Sequence, residues 1–397
     1  MTHHTTQHDA EQAPGRLRIA VASPGDPYDR RTWSGSTYFI VKALEPFVRS
    51  LTWIGPLTIP HQDLKKRLAA VRHRITGLRT YPERTLKASQ HFARCIDKRL
   101  DQEAFDLLLA PAASVETAHI ETRIPLVYIS DATFALMQEV YPIFSSMGDA
   151  AATEHRFEQA VINRADLLVY PSHWAARSAV TTYGADPDKV RVAPFGANLD
   201  TPPSREASLG RRVKGRLELL FLAKEWERKG GDIAFHTLKS LIDNGVDARL
   251  TVCGTVPPAS FRHEQMTVIP YLNKNIPEER ARFQEVLNRS HLLLLPTRAE
   301  CYGVVFCEAA AYGLPVFATD VGGVGTIVEN GVNGHLLPPD ADGADFACLI
   351  RDTALDPTTY MRLNTESRRR YEEHLNWDAW GRTMVHEISR VLRVKQR

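Results

Sequence analysis

Short apolar runs of strand length alternate with helical stretches along the whole chain, and one polar, proline-containing stretch divides this alternation into two series. Such a pattern demands a mainly parallel sheet. Each strand must return to the starting edge of its neighbour through a crossover, and the crossover helix then covers the sheet. The first series reads as strands near 17–23 (LRIAVAS), 51–55, 106–110 (DLLLA), 125–130 (PLVYIS), 167–171 (LLVYP) and 190–195 (VRVAPF). The second reads as 217–223 (LELLFLA), 248–253, 266–270, 291–296 (HLLLLP) and 315–319 (PVFAT). The break at 196–216 predicts a linker between an N-terminal domain over 17–195 and a C-terminal domain over 217–375. In 376–397, Trp377, Trp380, Met384, Ile388 and Val391 recur every three or four residues, which predicts a helix whose apolar face packs back towards the N-terminal domain. The expected fold class is α/β, with two Rossmann-like, doubly wound domains facing a cleft. Sheets of this kind put their ligands at the carboxyl ends of their strands.

A chain of 397 residues, 43% of them hydrophobic, suffices for two cores. No apolar run approaches the about 18 residues that a membrane-spanning helix requires. Residues 1–16 lack the apolar centre of a secretory signal and read as a disordered arm. The five cysteines are odd in number and include no C-x-x-C pair, which argues against a disulfide framework or a structural zinc site and for a reducing, cytoplasmic setting.

The chemistry concentrates in RAECYGVVFCEAA, residues 298–310. HLLLLPT is a buried strand, RAECYG the loop leaving its carboxyl end, and VVFCEAAAYG a helix closed by Gly313 and Pro315. The loop therefore puts Glu300 at the cleft. With the helix opening near Gly303, the amides of Tyr302, Gly303 and Val304 can face an anion, backed by the positive end of the helix dipole. Glu308, one and a half turns into the helix, can accept two hydrogen bonds from a vicinal diol such as a ribose. An acid for a sugar, amides for a diphosphate and an acid for a ribose together describe a nucleotide-sugar site.

The run ECYGVVFCEA resembles the E-x7-E motif of family 4 glycosyltransferases, retaining enzymes of GT-B architecture. Three further segments resemble the family in the same order: YDRRTWSGSTYFIVKAL (28–44), the first-strand glycine loop; LFLAKEWERKGG (220–231), whose cations hold the donor diphosphate; and DVGGVGTIVENGVNGHLLPP (320–339), the glycine-rich loop closing the donor site. The resemblance implies donor contacts at Gly35, Lys224, Lys229, Glu300, Cys301, Tyr302, Gly303, Val304 and Glu308. It implies catalytic roles for Glu300, Lys229 and Asp131, the last standing where the family usually has a histidine and offering a carboxylate to orient the transferred sugar or the acceptor hydroxyl. Lys224 replaces the usual arginine, exchanging bidentate phosphate contact for a point charge, and Gly325-Thr326 stands where a Pro-Glu pair often follows the glycines. The family implies transfer from a nucleotide-sugar donor to a glycan or lipid-linked glycan in polysaccharide synthesis, without cofactor or essential metal. A sugar-nucleotide epimerase and a catalytically silent sugar-nucleotide-binding protein are the alternatives. Asp-x-Asp at 186–188 and 340–342 sits in turn-like surroundings, which disfavours a metal site, and GRRVKGR (210–216) lacks the ending of a P-loop.

Charge is unevenly spread: residues 61–100 carry eleven Lys and Arg against three acids. Within 61–80, Leu64, Leu68, Val71, Ile75 and Leu78 recur at helical spacing among Lys65, Lys66, Arg67, Arg72 and Arg74, a basic amphipathic helix. It either lies peripherally on an anionic bilayer or packs its stripe on its own domain with the cations in water. With few aromatics and no recognition module, it gives no support to nucleic-acid binding.

Overall fold

The computed structural model describes residues 17–76, 81–145, 147 and 149–395. The arm at 1–16, Leu78 of the basic stripe and the last two residues lie outside the described residues. The first sheet contains β1 (Arg18–Val21), β2 (Ser50–Trp53), β3 (Leu107–Pro111), β4 (Leu126–Ile129), β5 (Leu167–Tyr170) and β6 (Val190–Val192), in the order β2-β1-β3-β4-β5-β6. The second contains β7 (Leu217–Leu222), β8 (Ala248–Cys253), β9 (Met266–Ile269), β10 (Leu292–Leu295), β11 (Val316–Thr319) and β12 (Gly334–Leu337), in the order β12-β11-β10-β7-β8-β9. Every pairing is parallel. Strands β3, β4, β5, β10 and β11 are buried along their whole length, which is why they read as unbroken apolar runs rather than as alternations.

Strand β12 was not expected from the sequence. Its first residue, Gly334, lies so close to β11 that a Cβ there would stand 2.2 Å from the Val316 carbonyl oxygen. The residue that makes the pairing possible is thus the one that reads as a strand breaker.

Strand β6 ends at Val192, earlier than the apolar run, because Phe195 turns out of the sheet to meet the other half of the molecule. Its ring stacks on Trp377 at 5.6 Å and meets Trp33 and Tyr302 edge-on, each at 5.5 Å. The C-terminal helix, Trp377–Lys395, lies on the helix Ser36–Leu44. Phe39 stacks on Trp377, and Gly381 is so close to the Ala43 carbonyl that a Cβ would stand 2.5 Å from it. The connecting stretch 196–216 is itself fastened down. Asn198 donates to the Ser34 carbonyl and accepts from the Trp377 indole, both at 3.0 Å, while Arg211 donates to the carbonyls of Leu287, Asn288 and Ser290.

Beneath the first sheet, the helix Asp149–Arg164 buries Glu154 and Glu158. Arg84 clasps Glu154 with two hydrogen bonds, and the Tyr128 hydroxyl donates to Glu158 Oε2 at 3.2 Å. Burial pushes Glu158 up to about 8 and nearby Glu116 up to about 7, both from an ordinary 4.5. In each case the folded state keeps a proton that the unfolded chain has lost, so stability falls as pH rises from 4.5 through these values and levels off above them. Thermal melts between pH 5 and 9 should therefore show a declining Tm, and Glu158→Gln should flatten the decline. Parallel profiles for the two proteins would show that Glu158 is ionised in the fold.

Candidate active site

The carboxyl ends of both sheets face one cavity of about 440 Å³. In the second sheet the strand order reverses between β7 and β10, so the loops after these two strands diverge and leave a crevice. Lys224 and Lys229 follow β7, and Glu300 follows β10. The acids and cations singled out in the sequence therefore meet because they flank one topological switch point.

Gly303 begins the helix Val304–Ala311 with φ +90°, a conformation glycine adopts without strain. A Cβ there would strike the Phe306 ring at 2.5 Å, so the turn that aims the helix start at the cavity depends on its absence. The glycine-rich loop 320–339 contributes no residue to the cavity wall. It braces the acid loop from behind. A Cβ on Gly322 would stand 1.8 Å from the Glu300 carbonyl oxygen, and Gly323 donates its amide to the Cys301 carbonyl at 3.1 Å.

Both carboxylates are buried and each holds a lysine. Glu300 pairs with Lys229, and Glu308 Oε1 accepts from Lys274 Nζ at 2.5 Å. Burial raises the Glu308 carboxyl above its usual range, opposed by Lys274 and then Lys224. Lys224 is pushed down by burial and by the neighbouring Lys274, and its ammonium lies 5.2 Å from the centre of the Tyr271 ring. On the opposite wall Asp131 follows β4. Burial and the charge of Glu300 push it up to about 6. Cys301 is buried with the first domain's core, and burial raises its thiol well above the ordinary value.

Of the residues singled out in the sequence, Lys224, Lys229, Glu300, Cys301, Tyr302, Gly303, Val304, Glu308 and Asp131 all line the cavity. The ring of Tyr302 is turned away, its hydroxyl donating to the Phe195 carbonyl at 2.9 Å. Gly35 does not line the cavity. It caps the helix Ser36–Leu44 at φ +93°, boxed in by the Arg30 carbonyl and Asn198, and its neighbours Trp33, Ser34 and Ser36 form the wall instead. Lys274, Arg228, Trp33 and Tyr141 line the cavity without having been singled out. Lys274 lies in a polar loop, LNKNIPEER, that carries no motif, and only its partner Glu308 gives it meaning. Arg228, beside Lys229, is held by Glu225 and faces the Tyr141 ring at 5.1 Å.

The two Asp-x-Asp runs are turn and cap residues: Asp186 accepts from the Asp188 amide, and Asp342 forms a capping box with Asp345. Among the described residues no three His, Cys, Asp or Glu side chains are grouped to hold a metal ion.

Residues 56–201 match the family model described as Glycosyltransferase Family 4, and residues 216–356 match the one described as Glycosyl transferases group 1. A D-inositol 3-phosphate glycosyltransferase of Xylanimonas cellulosilytica is 31% identical over 284 residues, which are 66% of this chain and 65% of that one. The match spans between about half and two thirds of the length of such curated relatives. Among solved structures, sucrose-phosphate synthase from Thermosynechococcus elongatus superposes with a TM-score of 0.67 at 19% identity, over 96% of this chain and 100% of that one. HepE from Anabaena, in complex with UDP and glucose, superposes with a TM-score of 0.64 at 16% identity, over 94% and 100%. These two establish the fold as GT-B.

Removing Lys274 leaves the Glu308 carboxylate buried without its counter-ion, which by analogy with other buried pairs costs about 3 kcal/mol or more. Lys274→Met should lower stability accordingly, and adding Glu308→Gln should restore much of the loss. Denaturant titrations of the four proteins in this double-mutant cycle measure the coupling, and simple additivity would mean the pair contributes nothing to the fold.

Proposed function

The chain belongs to glycosyltransferase family 4, and from that premise we propose that it moves a sugar, with retention at the anomeric carbon, from a nucleoside-diphosphate donor to a hydroxyl acceptor. The observation that carries this reading is the grouping of Lys224, Lys229, Glu300, Glu308 and the helix start at Gly303 around one cavity. In this reading the diphosphate displaces Glu300 from Lys229 and lies against Lys224, Lys229 and the amides at the start of the helix. Glu300, freed from its lysine, accepts hydroxyls of the transferred sugar, and Glu308 accepts the ribose. The acceptor oxygen attacks from the face the diphosphate is leaving. The bond from the anomeric carbon to phosphate oxygen breaks as the bond to the acceptor forms, and the acceptor proton departs on the phosphate. Positioning and the fixed positive field supply most of the rate, and the lysines and amides do what a metal ion would otherwise do.

A thermal-shift panel of nucleotide sugars, beginning with UDP-glucose, tests this. A true donor at a hundred times its dissociation constant should stabilise the fold by about 2.7 kcal/mol. Glu308→Ala should weaken that donor by about 1.5–3 kcal/mol or more, because hydrogen bonds to a charged acceptor are lost. Turnover should continue in EDTA. Unchanged donor affinity in folded Glu308→Ala protein would remove the ribose role, and loss of activity in EDTA restored by Mg²⁺ would remove the metal-free mechanism.

The membrane reading concerns the basic helix, Gln62–Thr76. Its apolar stripe faces solvent: Leu64 is 58% exposed, Leu68 60%, Val71 51% and Ile75 78%. This favours the bilayer over packing within the domain. A row of exposed apolar side chains flanked by Lys65, Lys66, Arg67 and Arg74 suits an anionic lipid surface, where each cation contributes about 1 kcal/mol. Peripheral attachment is the mode this implies, since among the described residues no helix is long and apolar enough to cross a membrane. The protein should co-sediment with phosphatidylglycerol vesicles at low salt and be released when Lys65, Lys66 and Arg74 are replaced by Gln. Wild type remaining in the supernatant at low salt would refute the attachment.

A further inference from the structure

Strand β9 is the edge of the second sheet, paired with β8 alone, so the loop that leaves it has a neighbouring strand on one side only. This loop, residues 270–276, carries Lys274 and Asn275 next to each other. Lys274 points inward: its Nζ donates to Glu308 Oε1 at 2.5 Å and stands 3.9 Å from the centre of the Phe283 ring. Asn275 meets the first domain instead. Its Nδ2 donates to Asp29 Oδ1 at 2.9 Å, and its Oδ1 accepts from the Arg30 amide at 3.1 Å. A second tie runs the same way: Arg280 donates to the Lys274 carbonyl at 2.9 Å and pairs at 3.4 Å with Asp200, which Arg30 holds at 2.6 Å.

Glu308 is only 4% exposed, and a carboxylate buried to that degree stays ionised, and so a strong acceptor, only while a cation is held beside it. A ribose is neutral and brings no cation of its own, so Glu308 needs Lys274 with the ribose present as much as without it. Lysine carries its charge on a flexible four-carbon stem, so the resting place of the ammonium depends on how firmly its backbone is held. Consecutive Cα atoms are about 3.8 Å apart, and a shift of Asn275 therefore moves Lys274 with it. Asn275, Asp29 and Arg280 contribute nothing to the cavity wall, so whatever they do to a ligand there is transmitted through a neighbour. Asp29 adjoins Arg30, and Arg30, Trp33, Ser34 and Ser36 of the same segment do line the cavity.

We propose that Asn275 is a positioning residue for the donor: fastened to Asp29 and Arg30 of the first domain, it holds Lys274 on Glu308, and the first domain thereby sets the affinity of the second for the ribose. The proposal rests on the reading above in which Glu308 accepts the ribose. Asn275 touches neither donor nor acceptor and acts through Lys274 alone. The bonds made and broken in the transfer are those already described.

The test has one arm with donor and one without, both on the full-length protein. In the first, isothermal titration with the nucleotide sugar that most raises the Tm compares wild type with Asn275→Ala and Asp29→Ala, each shown by its melt to be folded. Each variant should weaken the donor at least threefold, and the double variant should be little weaker than the stronger single. In a Lys274→Met background neither substitution should weaken it further, a dependence that a merely structural role would not produce. In the second arm, denaturant titrations repeat the Lys274→Met and Glu308→Gln cycle with Asn275→Ala present, and the coupling between the two residues should be smaller than in its absence. Unchanged or tighter donor binding in Asn275→Ala, the same loss in the Lys274→Met background, or an undiminished coupling would each overturn the proposal. Failure of the underlying reading shows itself separately, as donor affinity unchanged in Glu308→Ala or as no nucleotide sugar shifting the Tm, and the arm without donor still decides whether Asn275 holds Lys274 in place.

Discussion

Two carboxylates buried eight residues apart on one loop and helix cannot both stay ionised unless cations come to them, and much of the cleft follows from that requirement. Glu300 takes Lys229 from the loop after β7, and Glu308 takes Lys274 from the loop after β9. Each pair ties the acid-bearing loop and helix to the loop after a different strand, the adjacent β7 and the edge strand β9, so charge neutralisation also fixes the relative placement of three loops. Before any ligand arrives the pairs hold the acids in place; a polyanionic ligand would compete for the same lysines. The site is thus polar, buried and largely self-satisfied, a preorganised arrangement that needs little rearrangement of surrounding solvent to accept charge.

The two domains are held together by contacts that surround this cleft. Phe195 leaves the first sheet and accepts, through its carbonyl, hydrogen bonds from the Tyr302 hydroxyl and the Cys307 thiol of the second domain. Cys301 packs within the first domain's core although it belongs to the acid loop of the second. At another side, Asn275 donates to Asp29 and accepts from the Arg30 amide, while Arg30 and Arg280 share Asp200. The C-terminal helix adds a strap, resting on the first domain through Trp377 and Trp380. The contacts through Phe195 and Cys301 are buried and those at Asp200 are charged and partly exposed, so separating the domains would expose hydrophobic surface at the first and largely exchange partners with water at the second.

The strands and the acid pair were legible because burial on both faces writes a strand as an apolar run, and because Gly303 marks the turn that brings a helix start to the cavity. Strand β12 was illegible for the converse reason, its glycine serving a close approach that no local pattern records. The identities of Lys274 and Trp33 as cavity residues were hidden differently. Lys274 acquires its role from a partner distant in the chain, Glu308, and Trp33 from a left-handed turn that no local sequence pattern marks. The glycine-rich loop was legible as a loop, but the contact of Gly322 and Gly323 with the backbone of the acid loop was not, since it joins segments distant in the chain. The basic stripe at 62–76 was legible as amphipathic, but only the fold reveals that its apolar side is left uncovered.

The fit of Gly322 and Gly323 against the carbonyls of Glu300 and Cys301 has a consequence for anyone redesigning this protein. Segments 298–308 and 320–325 are separate in sequence and continuous in space, with no room for a side chain between them. A donor loop transplanted from a relative without its matching glycine segment would meet a foreign backbone at less than van der Waals distance. The two segments are therefore one exchangeable module, and chimaeras that cross over between them should fail where chimaeras that carry both succeed.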